Sequence, residues 1–236
     1  DLILAETQIG PSCLQDEVFV KENGAPLYNL TSIADDIEMQ VTHVIRGADH
    51  LNNTSKQIMI ANALSAKIPQ FAHLPMVLGS SKGEKLSKRH GATSVDQYRK
   101  DGFIPEALIN FLVRLGWSLD DKTEIFSIDD MIDNFSLSRI GKSGSVFDVK
   151  RLEWLNNHYI LKLNLAKRTS AVIPFLQRDG LLEGNISNEE RPWLEKIVES
   201  VGDRLTTLAD ITTYTKFFFT DDFDYHPKDV KKWLTK

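Results

Sequence analysis

At 236 residues with a net charge of −5, the chain can bury a sizeable core as one large domain or two smaller ones, and its charge is unexpected for a nucleic-acid partner. The sum does not exclude one, because binding follows where cations cluster, and the acids collect elsewhere, notably in Asp120–Asp121, Asp129–Asp130 and Asp221–Asp224. A hydrophobic content of 42% and a single cysteine, Cys13, describe an ordinary globular protein. They exclude an internal disulfide framework and a cysteine-rich zinc site and make a reducing cytoplasm the natural home. No apolar run nears membrane-spanning length, and the first residues are neither a signal nor a transit peptide. With no initiator methionine they read as the interior of a domain, so a fragment of a longer protein is expected.

Along the chain, Val18–Val20 is a short β-branched and aromatic run followed by Asn23-Gly24, a hairpin turn signal. Pro26–Leu30 leads into Thr31–Met39, with Asp35-Asp36 in its middle. Adjacent side chains point apart, so capping or structural hydrogen bonds suit that pair better than metal binding. Thr42–Ile45 predicts a strand ending at Arg46-Gly47. Asn53 or Thr54 can cap a helix with Ile58, Ala61 and Leu64 on one face, and the apolar run His73–Leu78 predicts the next strand. Strand, helix, strand implies a βαβ unit with a parallel sheet, which takes ligands beyond its C-terminal strand ends.

After Gly91 the pattern turns helical. Thr93 or Ser94 starts a short helix that Gly102 ends; Pro105 opens the next, with Leu108, Phe111, Leu112 and Leu115 on a stripe and Gly116 as terminator. Ser127 with Asp130 resembles a capping arrangement before Met131, Ile132 and Phe135, and Asp148 can cap a helix carrying Leu152, Trp154 and Leu155. From about Asn164 the pattern is helical only: Leu194, Ile197, Val198 and Val201 make one face, Leu205, Leu208 and Ile211 suggest another, and Lys216–Phe219 reads as core closing a bundle. The main composition shift lies near Lys162 and a softer one near Gly79, giving segments 1–79, 80–162 and 163–236.

One stretch stands out, Lys82–Gly91, where Lys82, Lys85, Lys88 and Arg89 face a single acid, Glu84, between glycines. Composition alone favours a solvated lysine-rich turn; the residue order reverses that. Lys85-Leu86-Ser87-Lys88-Arg89 resembles the second, K-M-S-K-S-like signature of class I aminoacyl-tRNA synthetases, and Lys85–Gly91 is similar to the version in bacterial glutamyl-tRNA synthetases. The resemblance extends to Pro26–Leu30, Thr42–Gly47, Asp49–Thr54, Phe71–Pro75, Pro105–Leu112, Gly116–Ser118, Val146–Asp148 and Leu152–Asn156. Ordered matches over roughly the first two thirds of the chain carry far more than a lone motif.

The resemblance implies an α/β plus all-α fold. It places the second half of a Rossmann-type catalytic domain over 1–79, the signature loop and a stem-contact region over 80–162, and an incomplete first helical anticodon-binding domain over 163–236. It implies ligation of L-glutamate to tRNA-Glu through a glutamyl-adenylate, with ATP as substrate and Mg2+ as its companion. No zinc, no membrane and a monomer are expected. Adenylation is positioning plus electrostatics, so the implied roles fall on charges and their supports. Lys85, Ser87 and Lys88 would steady the departing pyrophosphate. Asp49, His50, Leu78 and Lys88 would contact ATP, with His50 either stacking on the base or structural. Tyr28, Ser32 and Arg46 would hold glutamate, Arg46 being suited to bidentate recognition of a carboxylate. Without the resemblance, Tyr28 reads as a half-buried core aromatic and Arg46 as a surface ion pair, perhaps with Asp49. Ser32 replaces an asparagine of many relatives, and Ala48 an acid of most.

The family's first, H-I-G-H-like signature is not in this chain, nor is the arginine that such enzymes supply from their first strand, so the fragment alone is expected not to activate glutamate. Three other readings stay open. A glutaminyl-specific relative would place β-barrels after the stem-contact region. A paralog that glutamylates a modified tRNA base would lack the helical tail. A non-catalytic tRNA-binding module would grip tRNA with basic helices and no chemistry. Whether tRNA-Gln is also charged rests on the anticodon-reading end, which the sequence leaves undecided.

Overall fold

The computed structural model describes residues 1–8, 10, 16–79, 94–120 and 122–221. Those within 1–90 and 113–147 form one compact unit, and those within 91–112 and 148–236 form the other.

In the first unit, Asn23-Gly24 closes the expected turn: Lys21 N–H donates to Ala25 O at 2.9 Å, and Val20 bridges antiparallel to Pro26. Helix α1 (Tyr28–Glu38), strand β1 (His43–Gly47), helix α2 (Leu51–Ala63) and strand β2 (Gln70–Leu74) follow. The βαβ expectation holds, since β1 and β2 pair in parallel from His43↔Gln70 to Gly47↔Leu74. Ile33 of α1 packs on Ile60 and Ala61 of α2, sealing one small apolar core.

Two local expectations fail. The helix after β1 is not capped by Asn53 or Thr54: a 3-10 turn over Ala48–His50 runs straight into α2 at Leu51. Its buried face is accordingly Thr54, Gln57, Ile60 and Ala61, while Leu64 is exposed. The run His73–Leu78 is not one strand either. Pro75 lacks the N–H that a ladder needs, so the chain breaks into β2 and a short β3 (Val77–Leu78).

Strand β3 pairs in parallel with β4 (Ser145–Val146), and Phe147 N–H donates to Leu78 O at 2.9 Å. Between them in sequence, Trp117, Phe126 and Met131 form a second core. Helix α5 (Ile128–Asn134) starts in a full capping box, with the Asp130 N–H donating to Ser127 Oγ and the Ser127 N–H to the Asp130 carboxylate. Of the three apolar residues expected behind it, Met131 is buried, Ile132 is 70% exposed and Phe135 lies half-exposed against Trp117.

The second unit is helical among the described residues. Ser94 caps α3 (Val95–Lys100), and Pro105 opens α4 (Pro105–Val113), as expected. On α4 the buried residues are Ala107, Leu108, Asn110 and Phe111, and Leu112 is exposed. Leu108 and Phe111 of the expected stripe are therefore inside, joined by Ala107 and by Asn110, which is tolerated because Tyr159 Oη donates to it at 2.8 Å. Asp148 caps α6 (Val149–Lys162), and Asn164 caps α7 (Leu165–Arg178). Helices α8 (Arg191–Val201) and α9 (Asp210–Thr215) complete a core of Val172, Leu176, Leu194, Val198, Val201, Leu205, Leu208 and Ile211. Each such side chain contributes about 1.5–3 kcal/mol on burial. The Lys216–Phe219 run closes that core with Phe219 only, which meets Trp193 edge-on; Phe217 and Phe218 stay exposed and stack on each other.

Asn156 holds this unit together where secondary structure does not reach. Its Oδ1 accepts from Ile104 N–H at 2.9 Å, and its Nδ2 donates to Thr206 O at 2.7 Å and Gly102 O at 3.4 Å. Gly102 sits at φ +89°, and a Cβ there would meet Ala209 N at 2.5 Å, so the contact admits glycine alone.

Asn156→Ala is expected to destabilise the chain by about 3 kcal/mol in denaturant unfolding, since it strands the buried Ile104 N–H and the Thr206 carbonyl, while Gly102 O keeps the Leu208 N–H. The Asp130 carboxyl is held below its ordinary value by the Ser127 hydroxyl and N–H. Its stabilisation is thus present at neutral pH and lost as pH falls through that lowered value. Ser127→Ala should lower the melting temperature at pH 7, and the gap from the unmodified chain should shrink below about pH 4.

Candidate active site

The C-terminal end of β1 carries Arg46, whose register partner on β2 is His73. Residues i and i+2 of a strand share a face, so Phe71 and His73 lie side by side with rings nearly parallel, 6.3 Å apart. The Arg46 guanidinium lies over Phe71, 5.5 Å from the ring centroid, in a cation–π contact. Its Nε–H donates to His73 Nε2 at 3.2 Å, and its Nη2 donates to Thr54 Oγ1 at 2.8 Å and His50 O at 3.3 Å. Among the described residues Nη1 makes no hydrogen bond, and the residue is half-buried.

Behind Arg46 stands a fully buried histidine. The side chain of His73 has no exposure, and its Nδ1 lies 2.5 Å from Asp1 Oδ2. Asp1 is itself fixed, its other oxygen accepting from Ile3 and Leu4 N–H, while Leu2 N–H donates to Phe71 O at 2.8 Å beside β2. Burial first, and the Arg46 cation next, hold the His73 pKa below its ordinary value. The Asp1 carboxylate acts in the opposite sense. An N–H of Arg46 already aimed at Nε2 decides for the neutral ring, with its proton on Nδ1.

Around Arg46 the expected glutamate and nucleotide residues partly converge. Tyr28 is the first residue of α1, half-exposed, with its hydroxyl 3.5 Å from His50 Nδ1 and its ring tilted against the imidazole at 5.7 Å. Asn53 Nδ2 also reaches His50 Nδ1, at 3.2 Å. Ser32 lies one turn after Tyr28 on α1 and is half-buried. Asp49 is exposed in the 3-10 turn, and its carboxylate folds back over the strand end: a Cβ at Gly47 would meet Asp49 Oδ1 at 2.5 Å. Leu78 belongs to the other two-stranded sheet of this unit. Lys85, Ser87 and Lys88, with the rest of Lys82–Gly91, lie outside the described residues.

Tyr28 is therefore no core aromatic, and Arg46 is anchored through neutral acceptors and an aromatic face. Asp35 and Asp36 sit inside α1 and cap nothing; Asp36 is half-buried, which raises its pKa, partly offset by the Arg46 charge. Sequence reasoning missed His73, Thr54 and Asp1 as parts of this centre. A signal existed for His73: a polar residue at an inward position of an apolar run, Phe71-Ala72-His73-Leu74. Thr54 looked like a cap and is instead an acceptor for Arg46.

Two hollows lie elsewhere. One of about 450 Å³ is lined by Phe19, Leu30, Met59 and Ile60, and one of about 720 Å³ sits at the N-terminal strand ends by Thr42, His43 and Gln70. Neither includes Arg46 or Tyr28, and parallel sheets present ligands at the opposite end. Among the described residues no cluster of three or more His, Cys, Asp or Glu side chains is arranged to hold a metal, and no helix is long and apolar enough to cross a membrane.

The chain is similar to known proteins along its whole length. Its residues are 41% identical over the full 236 to a glutamate–tRNA ligase of Moorella thermoacetica and 45% identical over 232 to one of Francisella philomiragia. It spans about half the length of these relatives, 48% in each case. A crystal structure of a glutamate tRNA ligase from Elizabethkingia meningosepticum, in complex with its amino acid, matches all of the chain and 49% of its own at a TM-score of 0.83 and 31% identity. A glutamate-tRNA synthetase from Elizabethkingia anophelis matches 98% of the chain at 0.82 and 32% identity. Residues 166–236 match an anticodon binding domain. Residues 1–154 match the catalytic domain of the class I (E and Q) tRNA synthetases, and the chain belongs to that family.

Proposed function

We propose that this chain is the later part of a glutamate–tRNA ligase, carrying half of its glutamate-activating site and the start of its anticodon-binding region. The observation that carries the reading is the patch at the end of β1, where Arg46, His50 and Tyr28 come together beside a parallel sheet edge. Relatives of that name match 98–100% of this chain, and the described residues after Asn164 are helical where a glutaminyl-specific relative would carry barrels.

In the reaction, a carboxylate oxygen of L-glutamate attacks the α-phosphorus of ATP. A new P–O bond forms, the bond to the β-phosphate bridge breaks, and pyrophosphate leaves with the electron pair. Arg46 presents its Nη1 end to a glutamate carboxylate, in a charge-assisted contact of the kind that fixes orientation as well as affinity. Tyr28 and Ser32, one helical turn apart, face the amino-acid side chain. Asp49, His50 and Leu78 lie toward the nucleotide. Lys85 and Lys88, with Ser87 beside them in sequence, supply positive charge where the departing diphosphate builds up negative charge. Mg2+ would come only as the companion of ATP, no zinc is expected in this part of the enzyme, and transfer of glutamate to tRNA-Glu completes the cycle. Segment 1–79 carries activation, 80–162 the signature loop that shares in it and the stem contact, and 163–236 the first part of the anticodon contact. The complete enzyme acts as a cytoplasmic monomer.

The purified 236-residue chain is expected to show no glutamate-dependent ATP–pyrophosphate exchange; measurable exchange overturns the reading that it carries only half of the activating site. In the full-length enzyme, Arg46→Lys should raise KM for glutamate about tenfold or more while leaving KM for ATP unchanged, because an ammonium cannot reproduce the planar fork. An unmoved glutamate KM would remove Arg46 from the binding site.

A further inference from the structure

We propose that His73 is a positioning residue for Arg46: held by Asp1 as the Nδ1–H tautomer, it takes the Arg46 Nε–H on its bare Nε2 and so turns the Nη1 end of the guanidinium toward the ligand. The inference rests on the reading of Arg46 as the carboxylate clasp and goes beyond it, assigning a role to a buried histidine and an acid that touch no substrate.

An arginine side chain has several rotatable bonds and five donors. A strand end alone does not decide which donors face inward. Here three donor contacts are spent on protein acceptors, to His73, Thr54 and the His50 carbonyl. All three lie on the Nε and Nη2 side, and the ring of Phe71 supports one face. His73 is the member of this set that depends on a choice of tautomer. With a proton on Nε2 it would oppose the Arg46 N–H; with the proton on Nδ1, where Asp1 accepts it at 2.5 Å, it attracts it. Thr54 reinforces the arrangement, its Oγ1 lying 3.0 Å from His73 Nε2 while accepting from Arg46. Full burial makes the geometry hard to reach in any other way, because a misplaced proton inside has no water to satisfy it. The arrangement is a relay of orientation and carries no proton to the reaction.

Two substitutions separate this role from a merely structural one. The carboxamide of asparagine falls near the Nδ1 position, and so keeps a donor for Asp1 while offering Arg46 nothing. That of glutamine reaches the Nε2 position and keeps an acceptor for Arg46. In the full-length enzyme, His73→Asn should raise KM for glutamate about ten- to a hundredfold, the loss expected when one charge-assisted hydrogen bond goes, with KM for ATP unchanged. His73→Gln should stay within a few-fold of the parent. Equal effects of the two variants, or none from His73→Asn, overturn the proposal. The wild-type 236-residue chain gives an independent readout that needs no variant to fold. Nitrogen NMR should show a scalar coupling across the hydrogen bond from Arg46 Nε to His73 Nε2, and its absence from a well-resolved Arg46 Nε–H signal overturns the proposal too. If that coupling is present but Arg46→Lys leaves the glutamate KM unmoved, the pairing stands and the clasp reading of Arg46 is what fails.

Discussion

Arg46 and His73 face each other because β1 and β2 pair in parallel in one register, and everything else at the candidate site adjusts to that placement. A cation half withdrawn from water must regain in contacts what it loses in hydration. The surroundings supply an imidazole nitrogen, a hydroxyl, a backbone carbonyl and an aromatic face. All four are neutral, and the acid Asp36 feels the Arg46 charge without a hydrogen bond to it. On the proposed reading, that leaves the charge available to a substrate carboxylate, as a structural ion pair would not.

The elements around the strand end serve the same constraint. Gly47, lacking a Cβ, leaves room for the Asp49 carboxylate, and the 3-10 segment that follows at once brings the His50 carbonyl back to Arg46 and the His50 ring against Tyr28. Helix α2 then starts early enough for Thr54, rather than a cap, to fall beneath the guanidinium. On the proposed reading, the enzyme divides its positive charge in two. One guanidinium is locked in a buried network for the amino acid, and lysines between glycines meet a phosphate whose charge changes during reaction. The first demands fixed geometry; the second demands reach.

The helical unit solves a separate problem, how to bury a loop. Ile104, Gly102 and Thr206 carry backbone groups that no helix or strand pairs, and Asn156 pairs all three from α6. Its core depends on α7, α8 and α9, and there the apolar periodicity of α8 survives folding unchanged: Leu194, Ile197, Val198 and Val201 are all inside.

Local signals settled much of this without the fold. The parallel βαβ unit, the Ser127–Asp130 box, the caps at Ser94 and Asp148 and the face of α8 are written in short-range chemistry, because capping and periodicity act within a turn or two of chain. The order of motifs around Lys85–Gly91 likewise identified the family. Tertiary packing alone decided which of several apolar residues went inside: Met131 but not Ile132, Phe219 but not Phe217 or Phe218, Ala107 and Asn110 in place of Leu112. It also made Thr54 an acceptor and joined Asp1 to His73 across 72 positions of sequence. No local rule reaches that far, since a polar residue in an apolar run shows only that a partner is needed, and the partner is chosen by the register of strands.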